Sequence, residues 1–226
     1  MQGRFITFEG GEGTGKSNHS ALVVEKLKSL GISVKQSREP GGSPGAEIIR
    51  HVLLSGAAQP FGPDAEAILF AAARDDHLKL VIRPALERGQ WVVCDRFVDS
   101  TRVYQGIVGQ VAPPVIRALE RIVVAQTMPD LTFMLDLPAN VGLQRALERR
   151  GKSKADRFEQ ETLTYHETLR QGFRAVATVE SERCVIIDTM APMQEVADRI
   201  WRIVQDRLLP AQNSPKPSPQ VKDAAS

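Results

Sequence analysis

Short apolar runs rich in β-branched residues recur along the chain as RFITF, ISVKQS, WVVCD, LTFMLDL and CVIID, and the stretches between them carry helical spacing. Strands that alternate with helices need crossover connections, which predicts an α/β fold with a parallel sheet covered on both faces. NHSALVVEKLKSLG places Ala21, Leu22, Val24, Leu27 and Leu30 mostly three or four apart and ends at Gly31, as a helix with a glycine C-cap does. PDAEAILFAAARDDHLKLVIRPALERG has the same character, closes at Gly89 and carries a break signal at Pro84. PANVGLQRALERRG and PMQEVADRIWRIVQDRLL each open with proline near the first turn, where its missing N–H costs little. From Pro210 the periodicity stops. PAQNSPKPSPQVKDAAS predicts a disordered Pro/Ser-rich tail over 210–226 and leaves 1–209 as one domain.

A chain of 226 residues with 42% hydrophobic content is long enough for one substantial core. Lys+Arg 29 against Asp+Glu 27 leaves +2, so no global basic field recruits nucleic acid or an anionic membrane, and any anion binding must be local. Cys94 and Cys184 each sit inside an apolar run, which suits inert reduced thiols better than a disulfide. The four histidines, His19, His51, His77 and His166, show no zinc-ligand spacing. No apolar run approaches a membrane span and no signal-peptide core opens the chain, so a cytoplasmic protein is expected.

Local anion binding has an obvious seat. GGEGTGKS, Gly10 to Ser17, fits G-x-x-x-x-G-K-[ST], with a strand pattern before it and a helix pattern after it. Across Gly10, Gly11, Glu12, Gly13, Thr14 and Gly15 the small residues let backbone N–H groups converge on phosphate oxygens, and the helix that follows adds its positive end. Lys16 then neutralises the β/γ-phosphates, and the Ser17 hydroxyl can complete a Mg²⁺ shell. A turn that merely joins strand to helix accounts for neither the lysine nor the serine.

Further clusters follow later strands. REPGGSPGAEIIR ends on Arg50, about one and a half turns into a helix; FAAARDDH puts Phe70 and Arg74 four apart on one helix face. CDRFVDSTRVYQG places Asp95 and Arg96 at a strand end, where ligands gather in open α/β sheets, and then supplies Ser100, Thr101, Tyr104 and Gln105. Singly, Arg50 reads equally well as a solvated helix face, Phe70 as a core aromatic and Tyr104 as a packing residue. Their joint occurrence after strand ends is harder to dismiss.

FEGGEGTGKS, REPGG with Arg50 downstream, FAAAR, DRFxxSTxxYQG and a later DRFE, in that order, resemble the bacterial thymidylate kinases, ATP:dTMP phosphotransferases. The resemblance runs from about Arg4 to Leu209. It implies a three-layer P-loop NTPase fold with a five-stranded parallel sheet, a homodimer and a mobile lid. It implies that Arg50 and Arg96 hold the dTMP phosphate, that Phe70 stacks on thymine, and that Arg74 donates to thymine O4. Ser100, Thr101 and Gln105 become further base and sugar contacts, Tyr104 crowds the 2′ position, and Glu12 lies near the acceptor sugar and phosphate. Ser17 and Asp95 form the expected metal-facing pair. Arg145 resembles the family's adenine-packing arginine and reads equally as a surface charge.

The acceptor, a phosphate monoester with a second pKa near ~6, is already ionised at neutral pH and needs no general base. Catalysis then consists of positioning and charge neutralisation, with Lys16, Mg²⁺ and Arg96 as the fixed part. ERRGKSKADRFE, 148–159, packs Arg149, Arg150, Lys152, Lys154 and Arg157 around Gly151. It reads as a hydrated basic loop or as a lid that closes over ATP and excludes water. Glu12 in the loop, rather than arginine, resembles relatives whose catalytic arginine comes from the lid, which points to Arg150, with Arg149 and Arg157 as alternates. Lysines stand here where several relatives have arginine, and lysine lacks the bidentate fork.

Two other readings stand beside this one. Another nucleoside monophosphate or deoxynucleoside kinase differs only in acceptor. A P-loop switch or regulatory ATPase binds nucleotide without transferring phosphate, and the chain has no N-K-x-D motif of a GTP switch.

Overall fold

Five parallel strands make one sheet in the computed structural model, which describes residues 2–150 and 157–209. They are β1 (Phe5–Glu9), β2 (Val34–Arg38), β3 (Trp91–Asp95), β4 (Leu131–Asp136) and β5 (Cys184–Asp188), each on one of the five apolar runs. Their order is β2-β3-β1-β4-β5. From β1 the chain steps past the neighbouring position to β2, returns to β3, and then crosses β1 to reach β4. The direction of winding reverses at β1 and β3, so a crevice opens beyond their carboxyl ends, where Phe8 pairs with Asp95.

Helices α1 (Lys16–Ser29), α2 (Pro44–Leu54), α3 (Gly62–His77), α4 (Arg83–Glu87), α5 (Val98–Thr101), α6 (Pro113–Val123), α7 (Ala139–Arg150), α8 (Leu163–Val179) and α9 (Met193–Leu208) complete the layers. Alternation along the strands feeds both faces. Trp91 and Val93 join Ile6, Phe8 and Phe133 under α1 and α9, whereas Val92 and Cys94 join Phe5, Leu78 and Phe97 on the opposite side. Phe8 and Phe133 are fully buried with ring centroids 5.1 Å apart, and truncating either to alanine costs ~3–5 kcal/mol. Cys94 and Cys184 are free and buried. Burial pushes both thiols up, Cys184 to about 12, in keeping with inert side chains.

The break expected at Pro84 lies earlier. A π-helical stretch, Leu78–Ile82, separates α3 from α4, and Pro84 sits in the first turn of α4. Proline cannot donate to the carbonyl four residues back and its ring crowds it, so the widened turn before it absorbs the misfit. A second π-helical stretch, Arg102–Val108, continues α5. No helix among the described residues is long and apolar enough to cross a membrane. The tail, 210–226, lies outside the described residues.

Candidate active site

The loop between β1 and α1 owes its shape to backbone packing. Gly13 has φ 68°, and a Cβ there would run into the carbonyl oxygen of Gly142 on α7; a Cβ on Gly142 would in turn strike the carbonyl oxygen of Glu12. Loop and helix therefore touch main chain to main chain. Gly11 meets nothing within 4 Å, so its lack of a side chain answers to something other than packing. Lys16 folds across the loop, its Nζ donating to the carbonyls of Gly10 at 3.1 Å and Gly11 at 2.6 Å. Burial, reinforced by Arg96, brings its pKa down to about 8 against the pull of Glu12, Asp95 and Glu9. Ser17 Oγ donates to Asp95 Oδ2 at 2.5 Å, setting a hydroxyl and a carboxylate side by side. Among the described residues no three His, Cys, Asp or Glu side chains gather. A cation held here would rely on this hard oxygen pair together with ligand oxygens and water, a donor set that fits Mg²⁺.

Of the cavities that border the loop, two are roomy. One, of about 250 Å³, is lined by Glu12, Lys16, Arg50, Phe70, Arg74, Asp95, Arg96, Ser100, Thr101, Tyr104 and Gln105, among others. The other, of about 460 Å³, runs past Thr14, Asn18, His19, Arg145 and Thr189 to Met190 and Met193. Gly13, Gly15 and Arg149 line both.

Arg96 dominates the first cavity's inner wall. Its backbone has φ 66°, a left-handed conformation costly for a residue with a Cβ and held here because its N–H donates to Phe8 O at 2.8 Å, continuing the sheet. The guanidinium donates to Glu12 Oε1 at 2.5 Å, Gly10 O at 3.0 Å and Ser100 Oγ at 3.3 Å, and lies over the Tyr104 ring at 5.2 Å. Burial works against ionisation of Glu12, but Arg96, Lys16 and the Tyr104 hydroxyl outweigh it and bring its pKa down to about 2. Behind them Glu9 is wholly buried and accepts from Phe97 N at 2.7 Å, Ser100 N at 3.2 Å and Ser100 Oγ at 2.6 Å. Burial and the nearby Asp99 raise its pKa to about 7. Asp99, also fully buried, takes a two-pronged pair from Arg183 at 2.7 and 2.8 Å.

The outer wall is built on a second buried pair. Arg74 Nε donates to Glu39 Oε2 at 2.7 Å, and Nη2 donates to Phe97 O at 3.0 Å and Thr101 Oγ1 at 3.1 Å. His77 meets the other Glu39 oxygen at 3.1 Å. The remaining Arg74 nitrogen, Nη1, makes no hydrogen bond among the described residues, and the residue lines this cavity. Arg50 Nη1 donates to Pro40 O at 2.6 Å, tying α2 to the REPGG loop.

On either side of residues 151–156, Arg149 on α7 lies 3.6 Å from Glu159, and Arg157 pairs with buried Glu66 on α3 while covering the Phe158 ring at 4.6 Å. Phe158 itself stands between Phe70, at 6.4 Å, and Tyr104, at 5.4 Å. Residues 151–156, with Lys152 and Lys154, and the Arg150 side chain lie outside the described residues. Across the loop, Arg145 Nη1 donates to Thr189 O at 3.1 Å.

A family model described as thymidylate kinase matches residues 8–200. The chain belongs to the thymidylate kinase family. It is 54% identical over 218 residues to the thymidylate kinase of Nitrobacter winogradskyi, across 96% of this chain and 95% of that one. It is 55% identical over 210 residues to that of Afipia carboxidovorans, across 93% and 92%. The crystal structure of thymidylate kinase from Ehrlichia chaffeensis matches it with a TM-score of 0.72 at 29% identity, covering 91% of this chain and 99% of that one.

In this thymidylate kinase family chain the residues named from sequence fall in two groups. Those expected around the acceptor line one cavity, and Arg145 lines the other with the loop between them. Arg157, an alternate for the lid arginine, is instead committed to Glu66 and turned towards α3. Sequence reading passed over Glu9, Glu39, Asp99 and Phe158. Glu9 opens FEGGEG and Glu39 lies in REPGG, so an acid inside an apolar strand or directly before a glycine loop was the available signal.

Proposed function

We infer that the chain transfers the γ-phosphoryl group of ATP to dTMP, giving dTDP and ADP. The observation that carries this is the pair of cavities meeting at one phosphate loop, with Lys16 and Arg96 beside the shared wall. ATP occupies the larger cavity, its base toward Arg145, Met190 and Met193; dTMP occupies the smaller. An oxygen of the dTMP phosphate attacks the γ-phosphorus in line as the bond to the β-bridging oxygen breaks, and ADP leaves. No proton moves at the acceptor, because a phosphate monoester is already ionised at neutral pH. The obstacle is anion against anion, met by fixed cations in a partly dehydrated cleft.

Arg96 and Arg50 hold the acceptor phosphate, and Glu12 at its low pKa keeps Arg96 aimed at that position. Phe70 stacks on thymine, Tyr104 crowds a 2′ hydroxyl, and Ser100, Thr101 and Gln105 complete the sugar and base contacts. Arg74 Nη1 donates to a base carbonyl, which thymine offers at C4 and cytosine does not. Ser17 and Asp95 would hold Mg²⁺, which when bound neutralises charge between the β- and γ-phosphates. A lid over 148–159 closes the cleft. Arg149, already lining both cavities, shares with Arg150 the candidacy for its acting cation.

The same reading places the domain at 1–209 in the cytoplasm, as a homodimer. Ile68 on α3 with Val115 and Ile122 on α6 are exposed on neighbouring helices and offer the apolar face, so light scattering should read a mass near twice 24.8 kDa.

The test is ADP formation with dTMP, dUMP, dCMP or thymidine as acceptor. Turnover should require a monophosphate and favour dTMP, and Lys16→Ala should abolish most of it. Preference for dCMP, or ATP consumption indifferent to any acceptor, would sink the assignment.

A further inference from the structure

His19 stands in the first turn of α1, three residues after Lys16, and no role above uses it. It is only 4% exposed and lines the larger cavity beside Gly15 and Asn18. Its Nδ1 is sealed from solvent with no hydrogen-bond partner among the described residues. The opposite edge of the ring lies against the end of the phosphate loop: a Cβ built on Gly15 would meet His19 Cδ2 at 3.2 Å and Nε2 at 3.4 Å.

This geometry assigns the tautomer. A sealed N–H without an acceptor is rarer and costlier than a sealed lone pair, so the proton belongs on Nε2, the nitrogen nearer the loop. Burial also lowers the ring's pKa and keeps it neutral. Packing alone gives no reason for a histidine here. A phenylalanine would fill the same slot and leave no orphan nitrogen, and a buried polar atom without a partner calls for an explanation.

We propose that His19 is a binding residue for the donor nucleotide, its Nε2–H donating to an α-phosphate oxygen. The loop N–H groups and Lys16 take the β and γ positions, and the cavity leads on towards Arg145 and Met190 for the base. His19 lies between, beside Gly15, where the α-phosphate passes. This rests on reading the larger cavity as the donor site.

The test compares the wild-type chain with His19→Phe and His19→Gln. The first keeps a ring without donor or orphan; the second restores an N–H. Calorimetry should show the Kd for ADP rising about tenfold in His19→Phe and recovering in His19→Gln, with the KM for dTMP within about twofold. Adenosine, lacking phosphate, should lose nothing. Thermal unfolding of His19→Phe should occur at the wild-type temperature or above it. In ¹⁵N-labelled wild-type protein, His19 Nδ1 should resonate as a bare nitrogen and Nε2 as a protonated one that moves when ADP is added. Unchanged ADP affinity in His19→Phe, equal losses for adenosine, or a lowered unfolding temperature with ADP affinity intact would each overturn the proposal. Wild-type protein that binds ADP but forms none from ATP and dTMP would instead overturn the proposed reaction and leave the His19 contact standing.

Discussion

Arg74 shows how much one side chain is asked to do. Three of its donors are spent on Glu39, Phe97 and Thr101, so the residue proposed to read the base also neutralises a buried carboxylate. Arg74→Ala should therefore cost stability as well as selectivity, ~3–5 kcal/mol by denaturant titration, because it strands the Glu39 charge. Arg74→Lys should fold better yet fail to restore preference for dTMP over dCMP, since an ammonium cannot reach the same partners with a fork. Were Arg74→Ala as stable and as selective as the wild type, the buried pair would have no standing. The loop residues were legible because G-x-x-x-x-G-K-S fixes role by spacing. Glu39 and Asp99 were not, for a buried acid is explained by partners that fold in from afar: Glu39 by Arg74, Asp99 by Arg183.

Elements meet most tightly where glycine faces glycine. Helix propensity favours Gly142→Ala by ~1 kcal/mol, but the added Cβ would strike the Glu12 carbonyl. The contact should win: a lowered unfolding temperature and a raised KM for ATP are expected, and stabilisation would refute the main-chain contact. The two ends of the segment proposed as a lid separate in the same way. Arg149, with its side chain 62% exposed, should lose turnover and little stability on change to alanine, whereas Arg157→Ala should destabilise by leaving Glu66 unpaired. The inner strands β1, β3 and β4 read well from the sequence because both their faces are covered, giving dense apolar runs, whereas edge strand β2 buries only Val34 and leaves Lys35, Gln36 and Arg38 exposed. Helix α8 escaped notice although Leu169, Phe173 and Ala177 mark its buried stripe. Of the two π-helical stretches, Leu78–Ile82 left Pro84 as its sign, displaced by a few residues, whereas Arg102–Val108 left none, since a turn widened by one residue has no composition of its own.

Over the whole molecule, three buried groups give opposing responses to pH. Glu9, raised to about 7 from 4.5, keeps its proton longer folded than unfolded, so stability falls as pH climbs through that window. Glu12, lowered to about 2, contributes stability that is complete above 4.5 and lost as pH falls towards 2. Lys16, at about 8 rather than 10.5, binds fewer protons folded than unfolded between those values, so its burial becomes less costly as pH rises. Phosphate, however, recruits the charged lysine. Between pH 8 and 10 the chain should hold ADP progressively more weakly, and a Lys16→Met variant should lose that slope; an identical slope in the variant would assign it to another group.

Phe158 lies just after the segment proposed as a lid, yet its ring lines the smaller cavity, beside Phe70 and Tyr104. On the proposed reading, a thymine mimic too large for the space beside Phe158 should slow turnover by displacing that ring, and added ATP, which takes the other cavity, should not relieve it.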